Sequence, residues 1–119
     1  MAKIFIVDDS RIIRKVLTST LKEAGHEVIG EAANGEEALK AFETVTPDLV
    51  TLDITMPVMD GLETLEKIRS DYPDLKVVMI SAAGQKNKVM QALKLGALDF
   101  IRKPVEKDEM LDVINKHVV

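Results

Sequence analysis

At 119 residues the chain is sized for one domain, 1–119, and its 46% hydrophobic and 30% charged residues suit a soluble globular protein with a single packed core. The absence of cysteine excludes a disulfide scaffold and any thiolate metal site, and a net charge of −4 argues against a nucleic-acid-binding face. No apolar run approaches the ~20 residues of a membrane span, and Met1-Ala2-Lys3 leads straight into an apolar stretch without signal-peptide architecture, so a cytoplasmic protein is expected.

Residues 3–7, Lys-Ile-Phe-Ile-Val, form a nearly continuous apolar run, the pattern of a strand covered on both faces. The run ends in Asp8-Asp9-Ser10. Ser10 is a good N-cap, and Ile13, Val16, Leu17, Leu21 and Ala24 then recur at helical spacing until Gly25 stops them. Residues 27–33 read as a second, weaker strand centred on Val28 and Ile29. Asn34 caps a second helix, with Glu36 and Glu37 in its first turn, where the helix dipole favours anions, and Ala38, Ala41, Phe42 and Val45 as its core stripe.

The third strand, 48–52, holds Leu49, Val50, Thr51 and Leu52 and runs into Asp53. Pro57 cannot continue a ladder, and near Gly61 a third helix begins, carrying Leu62, Leu65 and Ile68 towards Tyr72-Pro73. A fourth strand, 76–80, ends in Ser81-Ala82-Ala83-Gly84, followed by a helix over about 86–95 with Val89, Leu93 and a Gly96 stop. A fifth strand, 98–102, ends at Lys103-Pro104, and a last helix over about 106–117 carries Met110, Val113 and Ile114.

Strands alternating with helices imply crossover connections, and hence a five-stranded parallel sheet with helices on both faces. Ligands in such folds bind beyond the carboxyl ends of the strands. Those ends carry Asp8 and Asp9, Asp53, Ser81 and Lys103. Two carboxylates ~5 Å apart repel by roughly 3 kcal/mol at an effective dielectric of about 20, and Lys103 alone cannot offset three of them. A divalent cation relieves the repulsion, and an all-oxygen site with few protein ligands suits Mg2+. The bland alternative is three solvated acids at loop starts, each separately capping a helix. A carboxylate beside a cation and an ammonium can attack phosphorus to form an acyl phosphate, with Ser81 donating to a phosphoryl oxygen. No phosphate-cradling glycine loop is present, so the phosphoryl donor must come from outside the chain.

Asp8-Asp9, Asp53 within Leu-Asp-Ile-Thr-Met-Pro-Val-Met-Asp-Gly, Ser81-Ala82 and Lys103-Pro104 together resemble the response-regulator receiver domain of two-component signalling, over essentially the whole chain. Ile-Thr-Met-Pro after Asp53 and Ser-Ala-Ala-Gly-Gln from Ser81 resemble most the single-domain, CheY-like chemotaxis members. The resemblance implies a flavodoxin-like α/β fold of strand order 2-1-3-4-5 with five flanking helices. It implies Asp53 as phospho-acceptor, Mg2+ held by Asp9, Asp53 and the Thr55 backbone carbonyl with Asp8 assisting, and Ser81 and Lys103 on the phosphoryl group. Phe100 matches the aromatic that turns inward as Ser81 moves, although on sequence alone a Phe in a strand is more simply core. Lys103-Pro104 matches a cis peptide of the family.

The function implied is a monomeric phosphorylation switch that catalyses its own phosphorylation and slow dephosphorylation and binds no organic cofactor. A sensor histidine kinase would donate the phosphoryl group. A flagellar-motor switch component or related target would receive the signal through the fourth helix, fifth strand and fifth helix, and a phosphatase is a further possible partner. With no DNA-binding segment after the fifth helix, output is expected through protein contacts. A phosphorelay intermediate and an excised receiver of a longer regulator remain open within this class. An aspartate-nucleophile phosphatase is the main alternative outside it, and there the position of Thr55 is usually an acid. A flavin-binding electron carrier needs a hydroxyl-rich phosphate loop and aromatic ring cover, whereas Asp8-Asp9 repel phosphate and only 3% of residues are aromatic. His26, after a helix stop, and His117, in a last turn, are assigned neither ligand nor donor roles.

Overall fold

The computed structural model describes residues 2–118, so the outermost residues of the expected 1–119 domain, Met1 and Val119, lie outside the described residues. Strands β1 (Lys3–Val7), β2 (Glu27–Ala32), β3 (Leu49–Asp53), β4 (Lys76–Ser81) and β5 (Asp99–Arg102) alternate with helices α1 (Arg11–Glu23), α2 (Gly35–Ala41), α3 (Gly61–Asp71), α4 (Lys86–Lys94) and α5 (Lys107–His117). All strand pairs are parallel and the order is β2-β1-β3-β4-β5, as the family resemblance implied. Every residue of β3 is buried. Among the described residues no helix is long and apolar enough to cross a membrane.

The sheet separates two apolar clusters. One joins Phe5, Val50, Leu52 and Met79 to Ala38 and Phe42 of the α2 segment, Leu65 and Ile68 of α3, and Val89 and Ala92 of α4. The other joins Ile4, Ile6, Leu49 and Ile80 to Leu17 and Leu21 of α1 and Met110 and Ile114 of α5. Each fully buried Leu, Ile or Phe contributes roughly 1.5–3 kcal/mol. Gly30 of β2 stands opposite Phe5, where a Cβ would lie 2.7 Å from the ring. The missing side chain makes room for Phe5, which packs edge-on against Phe42 at a centroid distance of 5.0 Å.

Several expected core positions prove to be surface. Val16 is 45% exposed, Ala24 is exposed and Leu93 is 38% exposed. In α1 the strip facing the sheet is only as wide as Leu17 and Leu21, one turn apart, with Ile13 half-buried beside it. In α4 the buried pair is Val89 and Ala92, so Leu93 is rotated off the sheet. The central strand sits one residue later than expected. Asp48 precedes it and accepts the Lys3 N–H at 2.8 Å, while Asp53 pairs with Ile80 within the ladder.

Candidate functional site

The carboxyl edge of the sheet collects the expected residues from separate elements. Asp8 follows β1, with its backbone N–H donating to the Ala32 carbonyl at 3.0 Å. Its Oδ1 accepts the Ser10 N–H at 2.8 Å, while the Ser10 hydroxyl caps α1 by accepting from Ile13 N. Asp53 closes β3. Ser81 closes β4, and its carbonyl accepts the Lys103 N–H at 2.7 Å, which fixes Lys103 just beyond β5. The Lys103-Pro104 peptide is cis.

These placements bury charge. Asp8 is 0% and Asp53 3% exposed, whereas Asp9 is exposed. Carboxylate oxygens of Asp8, Asp9 and Asp53 lie within 4.8 Å of one another. Lys103 Nζ donates to Asp53 Oδ2 at 3.1 Å and stands 3.3 Å from Asp8 Oδ2. Burial, reinforced by the charge of Asp8, pushes the Asp53 carboxyl up to about 6 against the pull of Lys103. Burial also disfavours the Lys103 ammonium, but Asp53 and Asp8 outweigh it and its pKa is raised. One ammonium therefore faces three carboxylates.

The site fits a hard divalent cation. Asp8 Oδ2 is buried and has no hydrogen-bond partner, and the converging donors are all carboxylate oxygens, the ligand type that magnesium prefers. The backbone around the cluster is braced: Arg14 donates from Nη1 to the Asp8 carbonyl at 2.7 Å while its Nε pairs with Glu31 at 2.7 Å. Gly61, first residue of α3, donates to the Ile54 carbonyl at 2.7 Å. A Cβ there would run into the Asp53 carbonyl and lie 2.7 Å from the Ile54 Cα. Only glycine lets α3 start so close to the end of β3.

Thr55 is exposed, and its hydroxyl accepts from Gln85 Nε2 at 2.5 Å. Phe100 is half-buried and packs against the first apolar cluster, on the side of β5 near α4. Neither histidine joins the site: His26 contacts Ala2 and Asn115, and His117 contacts Asp99. Arg14 was not singled out in the sequence, and Gln85 entered only as the end of the Ser-Ala-Ala-Gly-Gln run, with no role assigned. An Arg one turn into a helix and a Gln at a helix start are ordinary surface choices, and only the folded chain brings them to this edge.

Comparison with known proteins gives a uniform result. The family model described as "Response regulator receiver domain" matches residues 4–115. The chemotaxis protein CheY of Listeria monocytogenes is 48% identical over 116 residues, covering 98% of both chains. Among solved structures, the CheX-CheY-BeF3-Mg complex from Borrelia burgdorferi superposes with a TM-score of 0.93 at 39% identity, covering 98% of this chain and 89% of that one. NtrX from Brucella abortus aligns at 37% identity with a TM-score of 0.90, and this chain spans 27% of it.

Proposed function

The chain belongs to the response regulator receiver domain family, and from that premise we propose that it is a chemotaxis switch phosphorylated on Asp53. The observation that carries this reading is the Asp53 carboxylate at the end of the buried central strand, 3.1 Å from the Lys103 ammonium and beside two further carboxylates. With a pKa of about 6 it is ionised at neutral pH, and an ionised oxygen is the nucleophile.

An Asp53 oxygen forms a bond to phosphorus as the bond from phosphorus to the imidazole nitrogen of a phosphorylated histidine kinase breaks, the nitrogen keeping the electron pair. Lys103 and the Ser81 hydroxyl hold the phosphoryl oxygens. Asp8, Asp9, Asp53 and the Thr55 carbonyl are the residues that would hold Mg2+, whose contribution when bound is to neutralise charge on those oxygens. Water later attacks the acyl phosphate and resets the switch. Such self-catalysed turnover serves signalling, in the cytoplasm where the kinase domain resides.

Output follows from what borders the acceptor. A groove of about 620 Å³ runs from Ser81 and Lys103 past Phe100 to Val89, Met90 and Leu93. Movement of Ser81 towards a phosphoryl oxygen opens space that Phe100 can enter, which couples Asp53 to the α4-β5-α5 face. A motor-switch component is the target that fits a CheY-like protein, and the CheX named in the Borrelia complex makes a CheX-like protein a second candidate partner.

Incubation with magnesium and acetyl phosphate, followed by intact mass, tests the assignment. One phosphoryl group is expected on the wild type, and none on Asp53→Asn or in EDTA. Labelling of Asp53→Asn at the wild-type level would place the acceptor elsewhere.

A further inference from the structure

Gln85 occupies the N-cap position of α4 yet makes no side-chain cap to that helix. Its amide turns back across the site edge instead. Oε1 accepts the Ala82 N–H at 2.6 Å, and Nε2 donates to the Thr55 hydroxyl at 2.5 Å. The orientation of the amide is forced, because a backbone N–H can only donate and the oxygen must face it. One side chain thus ties the loop after β4 to the loop after β3, the two segments that flank Asp53.

The bond to Ala82 matters because of where that N–H points. In a parallel ladder successive residues address alternate neighbours. Ile80 faces β3, accepting from Ile54 N at 3.1 Å, and Ser81 faces β5, accepting from Lys103 N at 2.7 Å. Ala82 therefore faces β3 again, just past the level at which Asp53 pairs with Ile80. A phosphoryl group on Asp53 adds charged oxygens at this spot. Lys103 already serves Asp53 and Asp8, and Ser81 brings a single hydroxyl proton. The Ala82 N–H is the next donor on the strand, and in the resting protein Gln85 holds it.

We propose that Gln85 is a positioning residue for phosphoryl recognition: its amide holds the Ala82 N–H and the Thr55 hydroxyl in the resting state, and the phosphoryl group obtains the Ala82 donor by displacing it. This rests on Asp53 being the acceptor. The exchange runs forward because a charged oxygen is the stronger acceptor. Gln85 nevertheless weakens phosphoryl binding by the worth of the bond that must break, about two- to tenfold in an equilibrium constant for one neutral hydrogen bond.

Titration of the full chain with beryllofluoride in magnesium, followed by amide NMR, tests this. In the wild type, the Ala82 amide and the Gln85 side-chain NH2 resonances are expected to shift together on saturation. Gln85→Met, of similar length but unable to hydrogen-bond, should bind beryllofluoride two- to tenfold more tightly and show faster exchange of its resting Ala82 amide. Gln85→Glu, which keeps the acceptor and adds a charge, should bind more weakly than wild type. A purely structural role in stiffening the start of α4 would not raise affinity in the Met variant. Wild-type binding with unmoved Gln85 resonances, or a Met variant no tighter than wild type, overturns the clamp and leaves the receiver reading standing. Failure of the wild type to bind beryllofluoride at all overturns both.

Discussion

The two edges of the sheet handle polar groups in opposite ways. At the amino edge several are matched, although Arg69 Nε is buried there without a hydrogen-bond partner. His26 accepts the Ala2 N–H at Nδ1 and faces the Asn115 carbonyl oxygen from Nε2 at 2.8 Å, Asp48 accepts the Lys3 N–H at 2.8 Å, and Lys76 donates to the His117 carbonyl at 2.8 Å. At the carboxyl edge three acids share one ammonium, and a buried Asp8 oxygen has no hydrogen bond. The matched edge contributes stability. The mismatched edge surrenders some and leaves a carboxylate cluster of the kind that suits a cation. Removing a charge should therefore stabilise one edge, while removing a polar group should destabilise the other.

The largest expected effect is at Asp53. Its folded-state pKa of about 6 lies above the ordinary 3.8, so the folded protein holds the proton more tightly than the unfolded chain. The Asp53 contribution to stability therefore rises as pH falls through 6 towards 3.8, and its full deficit is present above about pH 6. The gap between those two values corresponds to about 3 kcal/mol. In EDTA at pH 8, Asp53→Asn should unfold at higher urea, by up to about 3 kcal/mol, shrinking to about 1 kcal/mol at pH 4.5. Magnesium should narrow the difference at pH 8 by stabilising the wild type alone. A gain independent of pH would show that charge burial is not its source.

The carboxyl edge was largely legible in the sequence, because buried parallel strands read as unbroken apolar runs and their first polar residue marks where each one surfaces. Asp8, Asp53 and Ser81 were found that way, whereas Lys103 was marked by the Pro104 that follows it, since the fifth strand itself carries Asp99 and Arg102. Strand order was not; the periodicity of each strand carries no record of its neighbour, and the order came with the family resemblance. Val16, Ala24 and Leu93 misled because α1 and α4 carry more apolar residues than their sheet-facing strips can cover. The Gln85 bridge was invisible for a different reason: Ala82 lies only 3 residues away, but Thr55 lies 30 away and meets Gln85 only once β3 and β4 are paired.

The amino edge supplies the opposite test. His26 is buried, and its Nδ1 must be the unprotonated nitrogen because it accepts from Ala2. His26→Leu leaves the buried Ala2 N–H without a partner and should cost about 2 kcal/mol, the range for an unsatisfied buried donor. Acetyl phosphate labelling of Asp53 should proceed at the wild-type rate, since no His26 contact reaches the carboxyl edge. A stabilised variant would erase the contrast between the edges, and slowed labelling would show that they are coupled through the sheet.

The smallest effect asks whether the carboxyl edge is strained in its backbone as well as in its charges. Val58, in the loop after Asp53, has φ of 67° and is 73% exposed. The Met59 N–H donates across it to the Pro57 carbonyl at 2.7 Å, a γ-turn with a left-handed centre. A β-branched residue is among the worst choices for that region, at a cost of about 1–2 kcal/mol. Glycine removes the clash but loses about 0.5–1 kcal/mol more backbone entropy on folding. Because the Val58 side chain is mostly in water, little burial is forfeited. Val58→Gly should therefore raise the unfolding free energy by at most about 1 kcal/mol, read from the urea midpoint in EDTA, in the same direction as Asp53→Asn but unchanged between pH 8 and pH 4.5. A gain with that pH profile adds backbone strain to charge repulsion on the carboxyl edge. A loss of stability would mean that the Val58 turn is not strained, and that the instability of this edge is electrostatic alone.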